Sequence, residues 1–156
     1  MKYAYWLSNI RGISKRKVRC LLQQGYHAIQ IYEASEKELA LMQFTEEEQT
    51  NIIESKKNWD VNKEWFSLME KGIGFVSLEQ EEYPKKLRMI SNPPYSLYYI
   101  GKLPENNQKS VAIVGARTQS AYGSEVTEML AKALSNHGVQ VISGLAKGID
   151  GDAHKG

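Results

Sequence analysis

Two stretches in the last third of the chain carry residue types that can do chemistry. The first is Val111-Ala112-Ile113-Val114-Gly115-Ala116-Arg117-Thr118-Gln119-Ser120-Ala121-Tyr122-Gly123, and the second is Val141-Ile142-Ser143-Gly144-Leu145-Ala146-Lys147-Gly148-Ile149-Asp150. Each runs from an apolar strand-like segment through a glycine to a cation and then into a helix pattern. Glycine lets a phosphate approach the backbone, and a following helix presents unpaired N–H groups with a partial positive charge. Arg117 and Lys147 add full charges, so the composite reads as a phosphate cradle with two cationic arms. Other nucleotide motifs fail. A Walker A sequence needs a second glycine five residues on, where Ser120 and Ile149 stand instead. The dinucleotide pattern G-x-G-x-x-G is excluded by Arg117 at its second glycine. One glycine turn is ordinarily a tight turn and nothing more, but two with matched cations favour an anion site.

The remaining candidates read more simply. Asp150, opening a helix, is expected to cap it and brace the loop rather than act as a general base. His154 follows at i+4, but with no third ligand nearby a metal site is not expected, and packing or a hydrogen bond explains it. His27 and His137 read as helix-end residues without partners. Cys20, the single cysteine, excludes an internal disulfide and reads as buried filler. Trp6, Trp59 and Trp65 read as core, while for Tyr122, beside Arg117 in the first turn, base stacking and a core role both stay open. Near the start, Asn9-Ile10-Arg11-Gly12-Ile13-Ser14 resembles a helix-hairpin-helix turn in which Ser14 replaces the second glycine. The basic residues beside it, Lys15, Arg16, Lys17 and Arg19, stand as a secondary contact to DNA or to a protein partner. No residue is assigned a catalytic role.

The elements that position these residues follow from periodicity. Helices are expected over Ala4 to Ile10 and Val18 to Leu22, with Gly25 as a stop. Ser35 with Glu38 and Thr45 with Glu48 fit the capping-box pattern. A further helix runs through Trp59 to Met69 and ends at Gly72. After it come a strand from Ile73 to Leu78, a short helix after Pro84, a turn at Asn92-Pro93-Pro94, and a strand from Ser96 to Ile100. Pro104 to Lys109 is a polar connector. Then strand (Val111 to Val114), helix (Ala121 to Asn136) and strand (Val139 to Ile142) form a parallel βαβ unit. In that helix Val126, Met129, Leu130, Ala133, Leu134 and His137 share one face. The fold class is α/β, with a helical domain at 1–71 and a sheet domain at 72–156 that is expected to be incomplete, the front part of a longer protein.

Composition sets broad limits. The 156 residues carry a formal charge of +2, 42% hydrophobic and 24% charged residues, enough for a packed core and unlike a disordered chain. No apolar run approaches the roughly 18–20 residues of a membrane span. The N-terminus lacks a signal-peptide h-region, so a cytoplasmic, membrane-free protein is expected.

The pattern G-A-R-x-x-S-x-Y-G from Gly115 to Gly123, followed by S-G-L-A-K-G-I-D-x-x-A-H from Ser143 to His154, closely resembles the DprA/Smf family of DNA-processing proteins of bacterial natural transformation. Tyr83-Pro84, Leu87, Asn92-Pro93-Pro94, Leu97-Tyr98 and Gly101 resemble that family's upstream segment. The resemblance implies a small sterile-alpha-motif-like helical domain followed by an extended Rossmann-like domain. It also implies single-stranded DNA binding, loading of the RecA recombinase, homodimers in the full-length protein, and no cofactor. Carried over residue by residue, the DNA pocket would comprise Gly115, Arg117, Ser120, Ser143, Gly144, Ala146, Gly148 and Asp150. Lys147 occupies a variable position and is added on charge, as Tyr122 is on stacking. The alternative is a nucleotide-processing Rossmann enzyme of the LOG phosphoribohydrolase type, which shares early glycine turns. No carboxylate pair here is arranged for its acid–base work.

With only two parallel strands in the sequence, Val139 to Ile142 is expected to leave an apolar edge, which invites pairing with another chain. Light scattering at high protein concentration is therefore expected to show self-association, and a monodisperse monomer would count against it.

Overall fold

The computed structural model describes all residues from Met1 to Gly156, which fall into two compact units, Met1–Leu103 and Pro104–Gly156. The architecture is mixed, helices with two small sheets. As packing units the chain divides after Leu103, because the first strands share the core of the helices; the expected division at residue 71 marks the change from helices to strands.

The first unit contains α1 (Lys2–Asn9), α2 (Lys15–Gln23), α3 (Ala28–Glu33), α4 (Glu36–Leu41), α5 (Glu46–Asn58), α6 (Val61–Glu70), β1 (Ile73–Ser77), α7 (Lys85–Arg88) and β2 (Ser96–Ile100). β1 and β2 pair antiparallel from Ile73 opposite Ile100 to Ser77 opposite Ser96. Their inner residue Phe75 joins the helical core of Trp6, Leu7, Val18, Leu21, Ile31, Leu39 and Ile52. Tyr5 is its aromatic hub. Its ring stands edge-on to Trp59, Trp65, Phe75 and Tyr98 at centroid distances of 5.8, 5.8, 5.6 and 6.1 Å. Such pairs contribute about 0.5–1.5 kcal/mol each beyond area burial. Trp6 is fully buried and donates its indole N–H to Ser55 Oγ at 2.9 Å.

Both expected capping boxes form. Glu38 Oε2 accepts from the Ser35 amide at 2.7 Å, and Glu48 Oε2 accepts from the Thr45 amide at 2.9 Å. The helix expected through Trp59 instead begins at Val61, because the Asp60 carboxylate accepts from the amides of Asn62 and Lys63 at 3.0 Å and caps α6. α3 was not legible in the sequence, since six residues span too little of a helical period to show one.

Several isolated residues differ from expectation. Cys20 is exposed, since Val18 and Leu21 take the inward face of α2. His27 is not without a partner: its Nδ1 lies 3.3 Å from Glu79 Oε2. The same carboxylate accepts from the Ala28 amide at 3.2 Å and from the buried Tyr95 hydroxyl at 2.6 Å. Glu79 thus joins the start of α3 to the segment before β2. His137 also has a partner, the Ala133 carbonyl oxygen at 2.8 Å from its Nδ1.

The second unit holds β3 (Ser110–Ala112), α8 (Ala121–Asn136), β4 (Gln140–Ile142) and α9 (Ile149–Ala153). β3 and β4 pair parallel, with Ser110 opposite Gln140 and Ala112 opposite Ile142. α8 is the crossover between them and has the expected bounds. Its inward face is not the expected one. Thr127 and Ala131 are buried, whereas Met129 and Leu130 are exposed. Small residues win because the chain just after α9 approaches α8 closely: a Cβ on Gly156 would stand 2.9 Å from the Ala131 Cβ.

Burial pushes the phenols of Tyr5, Tyr83, Tyr95 and Tyr98 upward from 10.0, with the Glu79 carboxylate adding to the effect at Tyr95. A raised folded-state pKa supports stability below the unfolded value, and that support is lost as pH rises past it. Urea midpoints are therefore expected to fall above about pH 10, and Tyr95→Phe to fall less steeply than the parent. Parallel curves for the two proteins would refute this role for Tyr95.

Candidate functional site

The two glycine turns follow β3 and β4 at their carboxyl ends, and the fold brings them into backbone contact. Gly148 makes this possible. It adopts φ 94° and ψ −136°, a region only glycine enters without strain. A Cβ there would run into the Ala116 carbonyl oxygen and stand 2.8 Å from Arg117 Cα. The Ala116 carbonyl in turn accepts the Ile149 amide at 3.2 Å. Gly115 is packed as tightly, since a Cβ there would lie 2.8 Å from the Ile149 Cβ.

Asp150 braces the pair. Its Oδ1 accepts from the Gly115 amide at 3.2 Å, and a Cβ on Gly144 would meet its Oδ2 at 2.9 Å. The expected brace is therefore present, but the expected helix cap is not. Gly148 occupies the cap position of α9 without a side-chain bond, because Asp150 is already the second residue of the helix. One consequence is electrostatic. The Gly115 amide faces a carboxylate and is not offered to an anion, so the attraction rests on other groups.

Those groups are exposed. The Arg117 guanidinium and the Lys147 ammonium enter no hydrogen bond or ion pair and face solvent. Ser120 caps α8, its Oγ accepting from the Gly123 amide at 3.1 Å, and leaves its own hydroxyl proton to donate. As the sixteen-residue α8 begins here, its dipole adds positive potential at its first turn. Tyr122 is 75% exposed on that turn. In the second turn Leu145 is 69% exposed and holds a positive φ of 52°, an uncommon setting for a bulky residue. Ser143 Oγ is buried without a hydrogen-bond partner, and Ala146 lies half-buried between Leu145 and Lys147.

A second brace escaped sequence reasoning. Asp152 is only 2% exposed, yet it accepts from Gln119 Nε2 at 2.8 Å and from Lys155 Nζ at 2.5 Å. Gln119 thereby ties the end of the first turn to α9. The hydrogen bond from Lys155, then that from Ser124, holds the Asp152 carboxyl below its ordinary value. The only sequence signal was an acid repeated two positions after Asp150, too short a pattern to interpret. His154 lies with its Nε2 3.4 Å from the Ser143 carbonyl oxygen, closing the same loop.

The basic run of α2 behaves differently from the turns. Lys15 Nζ donates to the Ser8 carbonyl, and burial lowers its pKa. Lys17 Nζ donates to the Gln43 carbonyl and lies 5.3 Å from the Phe44 ring centroid. Arg19 donates to the Pro93 carbonyl at 2.9 Å. Of the run, Arg16 alone points to solvent without such a bond. Ser14 caps α2 by accepting from the Lys17 amide at 3.1 Å. The hairpin and its cations hold the helical unit together.

Known proteins resemble this chain, some over nearly its whole length and others over its second half. The family model for DNA recombination-mediator protein A matches residues 74–156. Protein Smf of Synechocystis is 30% identical over 97% of this chain and 40% of its own length. DNA processing protein DprA of Bacillus subtilis is 36% identical over 54% of this chain and 29% of its own. The crystal structure of DprA from Streptococcus pneumoniae superposes with a TM-score of 0.67 at 25% identity, covering 99% of this chain and 52% of that one. The chain thus spans less than half the length of these curated relatives.

Gly148→Ala is expected to destabilise the second unit by at least about 1–3 kcal/mol through backbone strain alone. Gly144→Ala should cost less, because its Cβ meets only a side-chain oxygen. Hydrogen exchange across residues 110–156 checks this, since every tryptophan lies in the first unit. Equal protection in both variants would show that the turns do not depend on this contact.

Proposed function

The chain belongs to the DNA recombination-mediator protein A family, and from that premise we propose that its paired turns hold the sugar–phosphate backbone of single-stranded DNA, which the protein protects and hands to the RecA recombinase. The observation that carries this reading is the locked pair of turns presenting Arg117 and Lys147 without acidic partners. Cations on a rigid backbone attract phosphates without reading sequence, as a protein handling arbitrary DNA requires. Ser120, the first turn of α8 and the second-turn residues Ser143, Gly144 and Ala146 complete the polar floor. Tyr122 supplies a face on which a base can stack. The acids beside the cradle support binding rather than catalysis, because Asp150 braces Gly115 and Asp152 is held by Lys155 and Gln119.

In this reading the helices of residues 1–71 form a sterile-alpha-motif-like domain, and 72–156 begins a Rossmann-like DNA-binding domain. The family match beginning at residue 74 supports that division as a unit of descent. The protein acts in the cytoplasm as a homodimer in its full-length form. Within this chain no helix is long and apolar enough to cross a membrane.

Arg117→Ala is expected to weaken binding of labelled oligo-dT by about 1–3 kcal/mol at low salt and to reduce the salt slope by about one ion. Arg117→Lys should restore part of the affinity, because a point charge still attracts phosphate. Unchanged affinity in a folded Arg117→Ala protein would overturn the two-turn site.

A further inference from the structure

Two residues other than glycine hold a positive φ, Gln43 at 61° and Leu145 at 52°. Gln43 is explained by its place in the fold. It follows α4, and the Gln43 and Phe44 amides donate back to the Ala40 and Leu39 carbonyls at 2.9 and 3.2 Å, a common way for a helix to end. Leu145 has no such explanation. It follows β4 and ends no helix, and its own amide and carbonyl enter no hydrogen bond. Its side chain is 69% exposed.

In the left-handed region a leucine Cβ crowds the following carbonyl oxygen, a penalty that glycine does not bear. An exposed leucine by itself is ordinary. An exposed leucine where the backbone favours glycine is not, because little burial is gained to offset the strain. Strain of this kind collects at ligand sites. Position says which ligand. Leu145 lies two residues before Lys147, in the turn that Gly148 locks against Ala116 and Arg117. Phosphates account for the two cations but not for an apolar side chain held out beside them. The apolar surface that a nucleic-acid strand brings to such a site is the faces of its bases.

We propose that Leu145 packs its methyl groups on the face of a nucleobase, as a wedge that parts this base from the next one along the strand. This rests on the proposed reading of the paired turns and adds what the turns do to the bases. Leucine is among the apolar side chains that insert between base steps, and a single strand gives up its stacking at less cost than a duplex. Every base has such a face, so the contact is blind to sequence, as the contacts of the cations are. Tyr122, 75% exposed at the start of α8, offers a ring from the first turn, and Leu145 is its counterpart on the second.

The test compares oligo-dT with an abasic oligomer of the same length at low salt, since the second keeps the phosphates and lacks the bases. Leu145→Ala is expected to weaken oligo-dT by about three- to tenfold with an unchanged salt slope, because no phosphate contact is lost. The same variant should bind the abasic oligomer within about twofold of the parent. Leu145→Met, still long and apolar, should keep most of the affinity for oligo-dT. Leu145→Gly should bind oligo-dT as weakly as Leu145→Ala, while amide exchange across the second unit slows because glycine removes the strain. Arg117→Ala should weaken both oligomers, and no loss on either would overturn the phosphate site itself. Equal loss on both oligomers in Leu145→Ala, unchanged oligo-dT affinity in that variant, or faster exchange in Leu145→Gly would each overturn the wedge.

Discussion

The second unit depends on a side chain that is missing. At Gly148 the two glycine turns meet backbone to backbone, and any Cβ would strike the Ala116 carbonyl oxygen. From that contact the rest follows in order. Ile149 is brought against Gly115, its amide reaches the Ala116 carbonyl, and Asp150 comes within hydrogen-bonding distance of the Gly115 amide. Arg117 and Lys147, thirty residues apart in sequence, then project from neighbouring segments of one rigid edge. A flexible pair of loops could carry the same charges, but ordering them on each phosphate would cost conformational entropy.

Rigidity and charge are supplied by different residues. The acids of the site serve the framework: Asp150 holds the first turn, and buried Asp152, paired with Lys155, holds Gln119. The cations at the surface are left unopposed as a result. Had Asp150 faced outward toward Arg117, the edge would lose much of its attraction for phosphate. In the helical unit the assignment is reversed, since Lys15, Lys17 and Arg19 close the scaffold by donating to carbonyl oxygens.

The helical unit is organised around Tyr5 and Trp6, adjacent residues of α1 with different surroundings. Tyr5 gathers Trp59, Trp65, Phe75 and Tyr98, which draws β1 and β2 into the same core. Glu79 adds a polar tie through Tyr95 and the start of α3. This shared core is why the compact unit extends to Leu103, although the family match begins near residue 74. Units of packing and units of descent need not coincide, because a strand pair packs wherever its apolar face finds cover.

Much of this protein was legible in its sequence, wherever the governing physics is local. Helix α8 has the bounds its periodicity predicts, both capping boxes form at the expected residues, and the glycine turns stand at the ends of the expected strands. Hydrogen bonds between residues three or four apart do not depend on the rest of the fold. Tertiary structure decided what depends on distant neighbours. It buried Thr127 and Ala131 instead of the apolar stripe of α8, exposed Cys20, found Glu79 for His27, and turned the α2 cations onto carbonyls. It also engaged the Gly115 amide with Asp150, so the cradle read from two glycines keeps its cations but loses one of its amides. Residue types and spacing identify the groups available at a site, but which of them remain free is set by contacts between segments far apart in sequence.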